Sequence, residues 1–237
     1  MVRRDPQLAL SLRSTPRWGG ARTGAGRKPG TRPPVRHGQR ERFRRPLPTH
    51  VTLRVQTDVP SLRTVAIVRE IERTFAAGCV RPGFRLVHYS LQGNHAHLMV
   101  EAQDQVALAC GMKAIGSRLA RAVNRVAGRR GRVLADRYHH HLLRTPREVH
   151  RALRYVLLNA RKHAGKARGA VRAVRTVFDP ASSARWFDGW KMGKRSVPSA
   201  PEPAAGRVLV PVARARTWLL TTGWRRHGLL DPADVPG

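Results

Sequence analysis

His95 and His97, in the run Gly93-Asn94-His95-Ala96-His97-Leu98-Met99-Val100, are separated by a single apolar residue. The flanking segments, Phe84-Arg85-Leu86-Val87-His88-Tyr89-Ser90-Leu91 and Leu98-Met99-Val100, read as strands. Side chains alternate across a strand, so both imidazoles are expected on one face, side by side. Held that way they make half of a divalent-metal site, each binding through one ring nitrogen. The same spacing also fits two histidines on a half-exposed strand face. What lies further along the chain separates the two readings.

The run Leu153-Arg154-Tyr155-Val156-Leu157-Leu158-Asn159 reads as helix and places Tyr155 and Asn159 four residues apart, on one face. A tyrosine hydroxyl ionises near pH ~10 and is a poor nucleophile at neutral pH. It can still attack a phosphodiester when a metal polarises the phosphate and the geometry is arranged beforehand. Asn159 offers a neutral carbonyl oxygen, a suitable third ligand beside two histidines for Mg²⁺ or Mn²⁺. Taken singly, Tyr155 reads as a packing aromatic and Asn159 as a surface or capping amide. Combined with a strand His-x-His they are far more specific. His139-His140-His141 is a second histidine tract, but on a strand only His139 and His141 converge, which suits a DNA-contacting or structural strand. Tyr138 beside it is the reserve nucleophile. No Gly-x-x-x-x-Gly-Lys-Ser/Thr loop or pair of catalytic carboxylates occurs, which argues against an ATPase or a two-metal nuclease.

Charge points to the partner. The chain has 46 Lys and Arg against 14 Asp and Glu, a formal net charge of +32, which implies a polyanion. No apolar run reaches membrane-spanning length, so nucleic acid is favoured over lipid. Arg118, Arg121, Arg125, Arg129 and Arg130, on one predicted helix and its end, are expected to hold a DNA backbone. Cys79 and Cys110 stand in unrelated contexts and read as free thiols of a reducing cytoplasm. The first residues carry no apolar signal core, so a cytoplasmic, nucleoid-associated protein is expected.

The elements that must position these groups follow from periodicity. Residues 1–48, rich in Gly, Arg and Pro, read as a basic disordered arm. A strand at His50–Val55 opens the folded part, and a helix is predicted from Ser61 to about Ala77. Two strands follow, joined as a hairpin through Gly93-Asn94. Asp104 caps a helix running to about Val126, and residues 132–143 read as extended. Thr145-Pro146-Arg147-Glu148 is a capping box that starts a helix to about Ala164. This β-α-β-β-α-β order plus a helix predicts an α+β fold, a ferredoxin-like antiparallel sheet with helices packed on one face. Residues 49–165 would form the catalytic domain, 166–193 an aromatic docking segment around Trp186-Phe187-Asp188-Gly189-Trp190, and 194–237 a linker with a short terminal helix.

The strand Asn94-His95-Ala96-His97-Leu98, the helix Tyr155-Val156-Leu157-Leu158-Asn159 and the intervening Arg137-Tyr138-His139 resemble, over about residues 48–165, the single-tyrosine HUH transposases of insertion sequences, particularly their REP-associated relatives. That resemblance implies a divalent ion held by His95, His97 and Asn159. It implies attack by Tyr155 on single-stranded or hairpin DNA, leaving a 5′-phosphotyrosine and a free 3′-hydroxyl. Rejoining would reverse the step with another 3′-hydroxyl, with no external energy source. The expected state is monomer or homodimer. The chain departs from the REP-associated pattern after the amide, where Ala160-Arg161 replaces Pro-Val. A reading of another class stays open beside it: a non-catalytic, domesticated nucleic-acid-binding protein on the same sheet.

Overall fold

An inner strand of the sheet, β1 (Leu47–Arg54), begins three residues before the predicted start and takes in Pro48. Pro48 stands at the start of the strand, and its carbonyl accepts from Leu143 N at 2.9 Å. The structure, a computed structural model, describes residues 41–164, 178–191 and 210–234, with 160–164 described by backbone only. The predicted arm therefore lies outside the described residues up to residue 40. Contacts divide the chain into Met1–Gly38 and Gln39–Gly237, and every described residue belongs to the second unit.

After β1 come α1 (Val65–Ala76), β2 (Val80–Arg81), β3 (Phe84–Leu91), β4 (His95–Ala102), α2 (Gln105–Val126), β5 (His139–Leu142) and α3 (Pro146–Ala164). The sheet order is β2-β3-β4-β1-β5, antiparallel throughout. Without the two-residue β2, this is the ferredoxin-like arrangement the element order predicts. The β2–β3 hairpin was not legible, being too short to show a period. Its turn is Pro82-Gly83, and Gly83 at φ 65° supplies the left-handed conformation that the two-residue loop needs.

Local chemistry sets the helix ends. Asp104 Oδ1 accepts from Ala107 N at 2.8 Å, the expected cap of α2. At α3 the capping box forms in full: Thr145 Oγ1 accepts from Glu148 N at 3.2 Å, and Glu148 Oε2 accepts from Thr145 N at 3.1 Å and from Arg144 N at 2.6 Å. Helix α1 starts four residues later than predicted, with Ser61–Thr64 forming a turn instead. Leu62 is fully buried from that turn, and Val65 is exposed. Gly111 lets α2 press on the sheet, since a Cβ there would sit 2.1 Å from the Phe84 ring.

The expectation of helices on one face holds for α1 and α2 and needs correcting for α3. Val51, Leu53, Leu86, Leu98 and Val100 pack with Ile71 and Phe75 of α1 and Leu108, Ile115 and Leu119 of α2. Val87 and Met99, pointing the other way, pack with Val149, Leu153, Val156 and Leu157 of α3. The crossover helices must share a face, but α3 leaves from the edge strand β5 and is free to cross to the other. Phe187, Trp190, Leu220 and Trp224 complete this second core, brought in by residues 178–191 and 210–234. The short terminal helix is α4 (Trp218–Thr221), followed by a 3₁₀ turn at Gly223–His227.

Candidate active site

Residues directly opposite on paired strands share a face. The register sets Thr52 opposite His97 and His139, Arg54 opposite His95, and His50 opposite Met99 and His141. His95 and His97 therefore lie on the face that α3 covers, together with His50, Thr52, His139 and His141. His140 points to the α1–α2 side, where Tyr138 packs beside it (ring centroids 5.8 Å apart) and against the first core. The reserve nucleophile is thus turned away from the histidine pair.

The pair converges as the spacing predicts, with Nε2 of His95 3.0 Å from Nε2 of His97. The outer nitrogens are engaged. His95 Nδ1 lies 2.8 Å from Asn94 Oδ1, and His97 Nδ1 lies 3.2 Å from both Thr52 Oγ1 and His50 Nε2. If each ring donates through Nδ1, both Nε2 atoms present lone pairs to each other, an arrangement that repels unless a cation lies between them. Two ligands at ~2.1 Å from one ion and at a right angle are themselves about 3.0 Å apart, so the spacing fits an ion with octahedral ligands.

Helix α3 brings Tyr155 over this pair. Its Oη is 3.5 Å from His97 Nε2, and its ring stands edge-on to His97 at 5.0 Å and to His50 at 5.8 Å. Asn159 lies one turn further along α3 and is 0% exposed. Neither its Oδ1 nor its Nδ2 has a hydrogen-bond partner among the described residues. A buried amide in that state costs about 1–3 kcal/mol, and a missing ion or water is a standard cause. Among the described residues no group of three His, Cys, Asp or Glu side chains could hold a metal, so a third protein ligand would have to be of another type, as an amide oxygen is.

No local sequence pattern marks His50, because its place depends on β1 pairing beside β4. Burial, then the positive potential of His141 and His139, pushes its pKa down to about 4. It is neutral at pH 7 and can take the His97 Nδ1 proton as acceptor. The expected DNA-binding arginines lie elsewhere. Arg118 donates to Thr74 O at 3.4 Å, Arg125 pairs with Glu70, and Arg129 pairs with Asp58 at 2.6 Å. Arg118 and Arg125 belong, with the exposed Arg121, to α2 on the far face of the sheet, and Arg129 and Arg130 to the loop after it. The structure does not bring any of the five to the His–Tyr cluster. His88 is buried and 3.3 Å from Ser183 Oγ, so it faces the docked C-terminal segments instead of a binding surface.

The fold is thus a ferredoxin-like antiparallel sheet, and the site is a His–His–Tyr cluster on the face opposite its crossover helices. No protein-family profile matches the chain, and no curated protein matches it in sequence. Solved structures are similar to it. One is a REP-associated tyrosine transposase bound to a REP hairpin, with 15% identity and a TM-score of 0.47 over 63% of this chain and 82% of that one. Another is a transposase candidate from Deinococcus radiodurans, with 15% identity and a TM-score of 0.36 over 46% of this chain and 87% of that one.

Proposed function

We propose that this chain is a metal-dependent transposase-type endonuclease that nicks and rejoins single-stranded or hairpin DNA through Tyr155. The observation that carries the reading is the meeting of the converging Nε2 atoms of His95 and His97 with Tyr155 Oη, one helical turn from an amide with no partner among the described residues. His95, His97 and Asn159 would hold a Mg²⁺ or Mn²⁺ ion, which when bound would polarise the scissile phosphate. Asn94, Thr52 and His50 fix the imidazole orientations from behind. The packing of α3 on Val87 and Met99 holds the Tyr155 ring in place, so that little orientational freedom is lost at the moment of attack.

In the step itself a bond forms from Tyr155 Oη to phosphorus and the bond from phosphorus to the 3′-oxygen breaks. The proton lost by the phenol is matched by the one gained by the departing 3′-hydroxyl. One phosphodiester replaces another, so the energy of the broken bond is kept in the protein–DNA link and a second 3′-hydroxyl can reverse the reaction. The partner is single-stranded or hairpin DNA, a class that the net charge of +32 supports. Among the described residues no helix is long and apolar enough to cross a membrane.

The test is incubation of end-labelled single-stranded hairpins, including repeats that flank the coding region, with the full chain and Mg²⁺ or Mn²⁺. A covalent adduct is expected from the wild type with metal and from neither Tyr155→Phe nor His95→Ala. An adduct retained by Tyr155→Phe would overturn the assignment of the nucleophile. Tight binding with no adduct on any of these DNAs would favour the non-catalytic binding protein.

A further inference from the structure

A cleft of about 560 Å³ opens beside Tyr155, between the start of α3 and the edge strand β5. That is within the ~300–1,000 Å³ of typical small-ligand sites. Its walls divide by chemistry. Leu143 and Ala152 give an apolar side, His50 and His141 present imidazoles from the sheet, and Arg151 and Arg154 line it from α3. Glu148 also borders it, but its carboxylate is turned onto the backbone N–H groups of Arg144 and Thr145.

The charge along α3 has a direction. Arg147 and Arg151 are both exposed, one turn apart, and Tyr155 follows at the next turn. Each interval of four residues advances about 6 Å along the helix. A row of guanidinium groups therefore leads along one face of α3 to the proposed nucleophile. The α2 arginines lie across the sheet from Tyr155, and two of them, Arg118 and Arg125, together with Arg129 just past the helix, are committed to partners within the protein.

We infer that this cleft is a single-strand binding site in which Arg151 and Arg147 hold backbone phosphates while one nucleobase sits between the Leu143–Ala152 wall and the His50 and His141 rings. The inference rests on the nicking reading for one further point, the direction of the strand. An in-line displacement sends the departing 3′-oxygen away from Tyr155 Oη, whereas the Tyr155 ring is itself a wall of the cleft. The occupant is then the nucleotide that stays joined to Tyr155, the one immediately 3′ of the cleaved phosphate. Holding it there keeps the phosphotyrosine in place while the free 3′-end is exchanged.

Binding is measured first, with cleavage removed: full-length Tyr155→Phe protein and a fluorescein-labelled 20-nucleotide oligo-dT, by anisotropy over a salt series. Adding Arg151→Ala is expected to weaken binding roughly five-fold and to lower the slope of log K against log salt by about 0.7, one phosphate contact on a single strand. Arg69→Ala, an exposed arginine on α1 across the sheet, is expected to change neither. Equal affinity and slope for the Arg151 and Arg69 variants would overturn the cleft. On a DNA that the wild type cleaves, a methylphosphonate one phosphate 3′ of the cut is expected to raise KM for wild type but not for Arg151→Ala, with kcat changed little. A penalty only for the 5′ methylphosphonate would overturn the direction. Failure of the wild type to form any adduct while Arg151→Ala still weakens oligo-dT binding would sink the nicking reading alone and leave the strand site standing.

Discussion

Asn159 places the most specific physical demand on the site, because a fully buried amide with no partner among the described residues ought to be selected against in a protein that only needs to fold. Leucine has a similar size and a better helix propensity. Asn159→Leu is therefore expected to raise the stability of metal-free protein by about 1 kcal/mol, measured by urea unfolding in EDTA. The same change should abolish the rise in melting temperature that Mn²⁺ gives the wild type, a rise of the kind any ligand specific to the folded state produces. A loss of stability without metal would mean that the amide has a partner within the protein, and would remove it from the ligand set. At this scale much of the cluster was legible. Strand alternation puts His95 and His97 together, and helical spacing puts Tyr155 and Asn159 on one stripe. His50 and Thr52 were not legible, since they reach His97 only through the β1–β4 register. For the α2 arginines the sequence gives a charge and its spacing but not which face of the sheet their helix covers.

Among the elements, those with capping chemistry in the sequence were read nearly to the residue, as the limits of α2 and α3 demonstrate. Those held by distant partners were not. The outer edge of β3 is covered by three separate segments: β2, Ala213 N donating to Leu86 O at 2.7 Å, and residues 181–183 through the Ala181 O to Leu91 N bond at 2.8 Å. Such pairing closes an edge that would otherwise invite other strands, but no local period announces it. The C-terminal segment is tied down by one carboxylate. Glu101, on β4 and buried, accepts from Arg216 N at 2.8 and 3.0 Å, from Thr217 N at 2.7 Å and from Thr217 Oγ1 at 2.6 Å. Glu101→Leu would leave these donors facing an apolar side chain, at a cost of about 3 kcal/mol. Hydrogen exchange should then quicken at residues 213–221 and stay slow in α1 and α2. Equal loss of protection in both regions would mean that the carboxylate supports the whole sheet and not this segment.

At the scale of the whole molecule, the sheet separates two cores. One, with α1 and α2, is mainly apolar; the face of the other, with α3 and the C-terminal segments, holds the buried histidines that answer to mildly acid pH. His88 is enclosed there, edge-on to Phe187 at 5.3 Å and next to Ser183, and burial pushes its pKa down to about 3. His50 at the rim of the site is pushed down to about 4. In the unfolded chain both titrate near ~6.5. Between that value and their folded values the unfolded state binds more protons, so stability is fully present above pH ~6.5 and declines as pH falls. The decline ends near pH 4 for His50 and near pH 3 for His88. Each histidine contributes at most about 1.4 kcal/mol per pH unit inside its window, so from pH 6.5 to 5 the two together should remove roughly 3 kcal/mol. The carboxylates Glu70 and Glu148, held below their usual range mainly by hydrogen bonds from Arg73 and from the Arg144 backbone, act only at lower pH and do not compete in that interval. Urea unfolding in metal-free buffer at pH 7, 6 and 5 reads the slope directly. His88→Gln, which keeps a polar group near Ser183 but cannot titrate, should reduce it by close to one proton's worth. An unchanged slope in that variant would show that His88 takes up its proton in the folded protein without strain, and that the second core is open enough to admit water.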